Sequence, residues 1–222
     1  TLWDALINKQ GEVIEKFNGA DITNIGNFQD GRASVQLGSK FGFINGKGEI
    51  AIAPDFDVVS EFKGGYAIGR KGGKFGCIDV NGKAIIPFEH DGIAQPDGGL
   101  IRLKKGGGRT GKWGLYTLEG KQILPQEFNL IDEFSEGQAL VIKNGKYGLI
   151  DQKGNFILQP NIQADRIFPF RNGIAQVGNE LMVENIKGVP NRRYKRNGYI
   201  DIKGNFIIEP KYDYIFKFDS VY

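Results

Sequence analysis

The sequence contains one cysteine, one histidine and one methionine in 222 residues, and these scarcities narrow its chemistry before any pattern is read. A single cysteine excludes an internal disulfide. Cys77 lies in an apolar stretch, which predicts a buried, unreactive thiol. His90 has no second histidine with which to share a metal, and no Ser-His-Asp or Cys-His set has workable spacing, so metal and nucleophilic chemistry lack their residues. It follows Pro87 in the 88–93 stretch and reads as a loop imidazole without a role. No charge sign dominates. The balance of 29 Lys and Arg against 26 Asp and Glu leaves +3, without the basic excess of a dedicated nucleic-acid binder. No apolar run approaches the roughly 18 residues of a membrane-spanning helix. The chain opens on Thr1 without methionine, as expected of a processed or excised polypeptide. Carboxylates are plentiful, but abundance alone assigns no glycosidase pair. No cofactor is implied.

What the sequence has in quantity is glycine, 33 residues, placed at regular points between apolar runs. The segment 146–160, KYGLIDQKGNFILQP, shows the pattern: an aromatic-glycine pair, an apolar run, an acid, a glycine turn, a second apolar run and a proline. Its first half recurs at Phe41-Gly42, Phe75-Gly76, Trp113-Gly114 and Tyr147-Gly148, spaced 34, 38 and 34 residues apart. Degenerate copies stand near Trp3 and at Gly198, where Asn197 replaces the aromatic. The second half recurs as EVIEKF, EIAIAP, KAIIP, KQILP, NFILQP and NFIIEP. Six units, starting near residues 3, 41, 75, 113, 147 and 198, make up one repeat domain over residues 1–222.

Between the halves stands Asp/Asn-x-x-Gly, at 8–11, 45–48, 79–82, 151–154 and 201–204, with Thr117 opening the variant. A short acceptor at the first turn position and glycine at the fourth predicts a type I turn with a G1 bulge, hence a β-hairpin. After the proline a loop leads to a third segment, Phe-x-x-Gly-x-Ala, which turns through Gly72-Gly73 or Asn144-Gly145 into the next aromatic-glycine strand. Three short antiparallel strands per unit result. They do not alternate cleanly between apolar and polar, so neither face is meant for water and each sheet needs neighbours on both sides. The glycine after the aromatic then lets another backbone or ring approach, and the pair reads as packing rather than a stacking platform. The recurring Asp79, Asp151 and Asp201 are explained by capping turn N–H groups; one carboxylate per turn is too few oxygens for calcium.

These motifs resemble the WG-repeat proteins of bacteria, most fully over residues 146–177 and again over 198–218. The resemblance implies a β-structured array, often exported or on the cell envelope, with no catalytic site to carry over. The expected fold is therefore all-β, a tandem of hairpin repeats. Six hairpins but five third strands favour an open, solenoid-like array over a six-bladed propeller-like ring.

The departures from the repeat are the functional candidates. The first unit lacks the apolar-proline ending and reads as a cap. The 104–112 turn, KKGGGRTGK, is basic and glycine-rich, but Gly-Lys followed by Ser/Thr is absent and no helix follows, so it reads as a hairpin tip rather than a phosphate cradle. Between residues 178 and 197 the hairpin gains about 16 residues, predicting a protruding ribbon that carries Arg192, Arg193, Tyr194, Lys195 and Arg196. Those four bases around a tyrosine suit an acidic partner, either a protein face or a glycan. The leading expectation is a non-catalytic binding or scaffold module for a protein partner, and the alternative is a carbohydrate-binding or carbohydrate-processing envelope domain. A pure spacer would have neither pocket nor ligand.

Overall fold

A computed structural model describes residues 3–7, 11–18, 22–182 and 193–215. All its regular structure is β. Strands β1 (Trp3–Ile7) and β2 (Val13–Asn18) form a two-stranded pair. Five four-stranded antiparallel sheets follow in tandem, none closed into a barrel. The first holds β3 (Ile22–Ile25), β4 (Ala33–Leu37), β5 (Lys40–Ile44) and β6 (Ile50–Phe56). The second holds β7 (Val58–Val59), β8 (Tyr66–Lys71), β9 (Lys74–Asp79) and β10 (Ala84–His90). The third holds β11 (Gly92–Ile93), β12 (Leu100–Lys105), β13 (Lys112–Thr117) and β14 (Gln122–Phe128). The fourth holds β15 (Leu130–Ile131), β16 (Gln138–Lys143), β17 (Lys146–Asp151) and β18 (Phe156–Ile162). The fifth holds β19 (Arg166–Ile167), β20 (Ile174–Met182), β21 (Arg193–Asp201) and β22 (Phe206–Tyr212). The chain divides into two compact units, Thr1–Gly111 with Tyr116–Gln122, and Lys112–Leu115 with Ile123–Tyr222.

All six expected hairpins are present, but each complete sheet has four strands rather than three. The addition is a strand of two to four residues, such as Val58–Val59, drawn from what the sequence presents as a loop after the proline. It pairs with the Gly-x-Ala strand: Val58 lies opposite Arg70 and Val59 opposite Gly69.

The proline does not close its strand. In the first sheet Phe41 pairs with Phe56 and Phe43 with Ile52, so the single residue Gly42 faces Ala53, Pro54 and Asp55. The same one-against-three bulge sets Gly148 against the segment around Pro160, and Gly198 against that around Pro210. Proline is tolerated there because a bulge on an edge strand has no ladder N–H to lose. The excess backbone arches onto the glycine. A Cβ at Gly42 would stand 2.5 Å from the Ile52 carbonyl oxygen, and one at Gly148 2.8 Å from that of Leu158. This is the close backbone approach that the aromatic-glycine pair predicts.

The Asp/Asn-x-x-Gly turns also form as expected. Gly154 N–H donates to the Asp151 carbonyl at 3.0 Å with φ +82°, a conformation glycine adopts without strain. Asp151 Oδ1 accepts from the N–H groups of Lys153 and Asn155 at 2.9 and 2.8 Å. The turn glycine lies against the last strand of the sheet before: Gly82 over Ile52, and Gly204 over Leu158 and Ile162.

Within each compact unit, one face of a sheet packs on the facing side of the next. In the first unit Phe43, Ile52 and Phe56 join Phe62, Ala67 and Ile78 in one buried cluster, with Phe43 and Phe62 ring centroids 4.7 Å apart. Cys77 and Ile86 likewise meet Ile101 and Leu103. In the second unit Leu140, Leu149 and Leu158 meet Ile167, Phe170, Ala175 and Val177. At the first and last of these interfaces, small Ala67, Ala175 and Val177 leave room for the larger side chains below, as close packing requires.

Ion pairs fasten the seams. Asp57 Oδ1 accepts from Lys40 Nζ at 2.6 Å, while its Oδ2 accepts from the Gly73 N–H in the next sheet at 3.1 Å. Asp91 repeats this with Lys74 at 2.5 Å and the Gly106 N–H at 2.8 Å. The lysine bonds chiefly hold both carboxyls below the usual range; the Asn155 and Asn205 contacts do the same for Asp151 and Asp201.

Gly148→Ala should lower stability by about 3 kcal/mol, because the obstructing atoms are backbone. Gly46→Ala, with open space around it, should change stability by less than about 0.5 kcal/mol. Urea unfolding of the two variants checks the contrast. The four depressed carboxyls stabilise the fold fully above their unfolded value of about 3.9. That contribution is lost as pH falls through the lower folded values, so melting temperature should drop as pH falls below about 4. Asp57→Asn should lose less over that range than the parent.

Candidate functional site

The sequence places its candidate contact on the ribbon, and the structure gives only part of it. Arg192 lies outside the described residues. Arg193, Tyr194 and Lys195 are on β21, opposite Met182, Leu181 and Glu180, and their strand alone is described. Arg196 is opposite Asn179 and its side chain reaches across to the end of β22, where Nη1 donates to the Lys211 carbonyl at 3.0 Å and to Asp213 Oδ1 at 2.8 Å. This bond occupies the place of the Lys40–Asp57 clamp, so Arg196 has a framework task. The base of the ribbon is formed: β20 and β21 pair over nine residue couples, where β16 and β17 pair over six, and its tip, 183–192, lies outside the described residues.

The 104–112 segment forms the hairpin tip expected. Lys104 Nζ donates to the Gly108 carbonyl at 2.6 Å, the Gly106 N–H is taken by Asp91, and Gly106 and Gly108 have φ of +86° and +59°. Tip and ribbon share a topological address. Each occupies, in its own sheet, the hairpin between the second and third strands, where the other sheets have Gly38-Ser39, Gly72-Gly73 or Asn144-Gly145.

Sequence reasoning missed a cleft in the first unit, of about 240 Å³. Val58, Val59, Ile68, Phe75 and Ile93 give it an apolar floor, and Ser60, Arg70 and Gln95 give it polar edges. The Arg70 guanidinium carbon stands 5.9 Å from the Phe75 ring centroid, a cation–π distance. The available signal was an Asp or Asn followed two residues later by Val or Ile, at Asp57, Asp91, Asn129 and Asp165, since it marks the short strand that supplies Val58 and Val59. A recess in the second unit, beside Leu140 and Phe170, has only about 10 Å³ and holds one water at most.

The two reactive side chains are both absorbed by packing. Cys77 is buried, and burial pushes its thiol up to about 11. His90 corrects the loop reading: it ends β10, pairs with Phe75 and is only 9% exposed. Its counterparts in the other sheets are Phe56, Phe128, Ile162 and Tyr212, so the imidazole takes a position filled by large apolar side chains and buried at Phe56 and Phe128. Its ring centroid stands 6.5 Å from that of Tyr116. Desolvation lowers its pKa against the raising effect of Glu89 and Asp91, while Lys74 adds to the lowering. Among the described residues no group of three His, Cys, Asp or Glu is arranged to hold a metal ion, and no helix is long and apolar enough to cross a membrane.

Because the folded pKa of His90 lies below the unfolded value of about 6.5, its neutral form carries no penalty above that value. Stability should therefore fall as pH drops from about 6.5 through the lower folded value. His90→Phe, which installs the residue found at positions 56 and 128, should flatten the melting temperature between pH 7 and 5. Parallel profiles for the two proteins would contradict this account.

The WG containing repeat family matches residues 41–75, 75–108, 113–147, 147–180 and 198–220. No curated protein matches the chain. Among solved structures, the N-terminal domain of Nup159 is similar at TM-score 0.43 and 13% identity, covering 84% of this chain and 61% of that one. A eukaryotic initiation factor gives TM-score 0.44 and 12% identity, with 82% and 52% covered. The WD40 domain of Neurospora crassa Pan2 gives 0.35 and 13%, with 86% and 67% covered. Likenesses of this size bear on neither mechanism nor partner. The five matches, the aromatic-glycine pairs and the recurring hairpins place the chain in the WG-repeat family.

Proposed function

We propose that this chain is a non-catalytic binding or scaffold module that presents its hairpin tips to a protein partner. One observation carries the reading: the two long departures from the repeat, at 104–112 and 178–197, fall at the same hairpin position, while the framework around them is kept. Variation confined to one kind of loop on a fixed frame is how binding surfaces are built on rigid scaffolds. Burial of the one histidine and the one cysteine supports the reading, because the frame uses both for packing. The basic composition of both segments suits an acidic face on the partner. We place the protein at the bacterial cell envelope or outside the cell on the strength of the family resemblance, which fractionation of the native host would test.

Replacing residues 106–111 by Asn-Gly, and separately changing Arg192, Arg193 and Lys195 to Ser, should reduce capture of cross-linkable envelope proteins. The loss should be greatest at low salt, where exposed charges act over about 10 Å or more. Capture unchanged by both variants at low and high salt would overturn the proposal.

A further inference from the structure

The cleft of the first unit lies where one residue of the repeat is exchanged. In the second unit Phe170 packs in one cluster with Leu140, which is 6% exposed, and in the first unit Phe62 covers Phe43. The turns after these two phenylalanines are closed by the pairs Arg171–Ile174 and Lys63–Tyr66, and the matching pair over the second sheet is Asp97–Leu100. Pro96 therefore stands where the covering sheet otherwise has its phenylalanine. Ile101, in place of the small Ala67 and Ala175, compensates above Cys77. Ile68, opposite Cys77 as Leu140 is opposite Leu149, stays outside that cluster and is half-buried in the cleft floor.

The charges around this floor are disposed unequally. Lys71 is paired with Asp55, and Lys74 with Asp91. Arg70, directly opposite Val58, has no carboxylate at ion-pair distance among the described residues, and its guanidinium rests instead beside the Phe75 ring. Asp57, the residue before Val58, is taken up by Lys40 and by the Gly73 N–H. Ser60 Oγ is engaged too, donating to the Glu61 carbonyl at 2.9 Å and accepting from the Ile68 N–H at 3.0 Å. A guanidinium held by a ring at the rim of an apolar cleft selects an anion attached to an apolar body.

Size and charge narrow the class further. The volume of about 240 Å³ far exceeds the ~10–15 Å³ that admits one water and falls just below the range of about 300–1,000 Å³ usual for drug-sized ligands. One ring or two fused rings fit. A phosphate ester is the poorer match, because its double charge would meet a single guanidinium while the nearby Gly73 N–H is already given to Asp57. A carboxylate matches the flat guanidinium through two parallel hydrogen bonds. We propose that this cleft binds a small aromatic monocarboxylate, with the ring against Val58, Ile68 and Ile93 and the carboxylate on Arg70. This site is separate from the hairpin tips, and either can fail without the other.

The test is titration of the intact protein with cinnamate, followed through backbone amide shifts by heteronuclear NMR. Saturable shifts concentrated at Ile68, Gly69 and Arg70 are expected. Cinnamamide, the same body without the charge, should bind about five-fold more weakly or worse, and Arg70→Gln should weaken cinnamate by a similar factor. Val58→Asp sets a carboxylate directly opposite Arg70 and should weaken cinnamate binding by competing for the guanidinium. Arg70 is exposed, so its exchange leaves the fold intact, which unchanged amide shifts away from the cleft verify. No saturable shift at the cleft, equal affinity for acid and amide, or affinity indifferent to both Arg70→Gln and Val58→Asp would each overturn the proposal.

Discussion

The structure depends on the burial of strand pairs that are apolar on both faces. A sheet such as β15 to β18 sends Val141 and Ile150 to one side and Leu140, Leu149 and Leu158 to the other, so it has no side that water can solvate without cost. It is stable only between neighbours. Two of these interfaces share one solution, with large side chains below, Ala67 or Ala175 and Val177 above, and a turn glycine closing the end, while at a third Ile101 and Leu103 cover Cys77 and Ile86. Each close contact needs its glycine. Gly42 and Gly148 admit the arched backbone of the proline strand, and Gly82 and Gly204 admit the aliphatic side chains of the sheet before.

Much of this was legible in the residues. The aromatic-glycine pairs and the Asp/Asn-x-x-Gly turns have strict local requirements, so a reader of sequence alone finds the hairpins at 45–48 or 151–154 and the reason for their glycines. The rest was hidden for physical reasons. A strand of two residues such as Val58–Val59 is too short to show any alternation. The bulge at Pro54 or Pro160 was misread as a strand end because proline reads locally as a breaker, whereas a one-against-three bulge is a property of the pair. Asp57 and Asp91 bond to backbone in the following sheet, and no window of sequence shows that.

His90 is the instructive case. Polar and flanked by Glu89 and Asp91, it has every local mark of a loop residue. Only its alignment with Phe56 and Phe128 places it in the core, and that alignment depends on where the bulge falls. The framework tolerates the exchange because an imidazole kept neutral by burial has nearly the shape of the ring it replaces. The candidate ribbon was legible in outline, since length added to both arms of a hairpin extends it. The bond of Arg196 to Asp213 was not, because its partner lies 17 residues on, at the end of the neighbouring strand.

The phase of the repeat has a genetic consequence. The sequence motif begins at an aromatic-glycine strand and ends at a Gly-x-Ala strand, so one copy of it spans the second half of one sheet and the first half of the next. Duplicating that stretch of gene inserts a finished junction instead of a finished sheet. Every intermediate length of such a protein then keeps its greasy surfaces matched, and lineages can lengthen or shorten the array in single steps without passing through an insoluble ancestor.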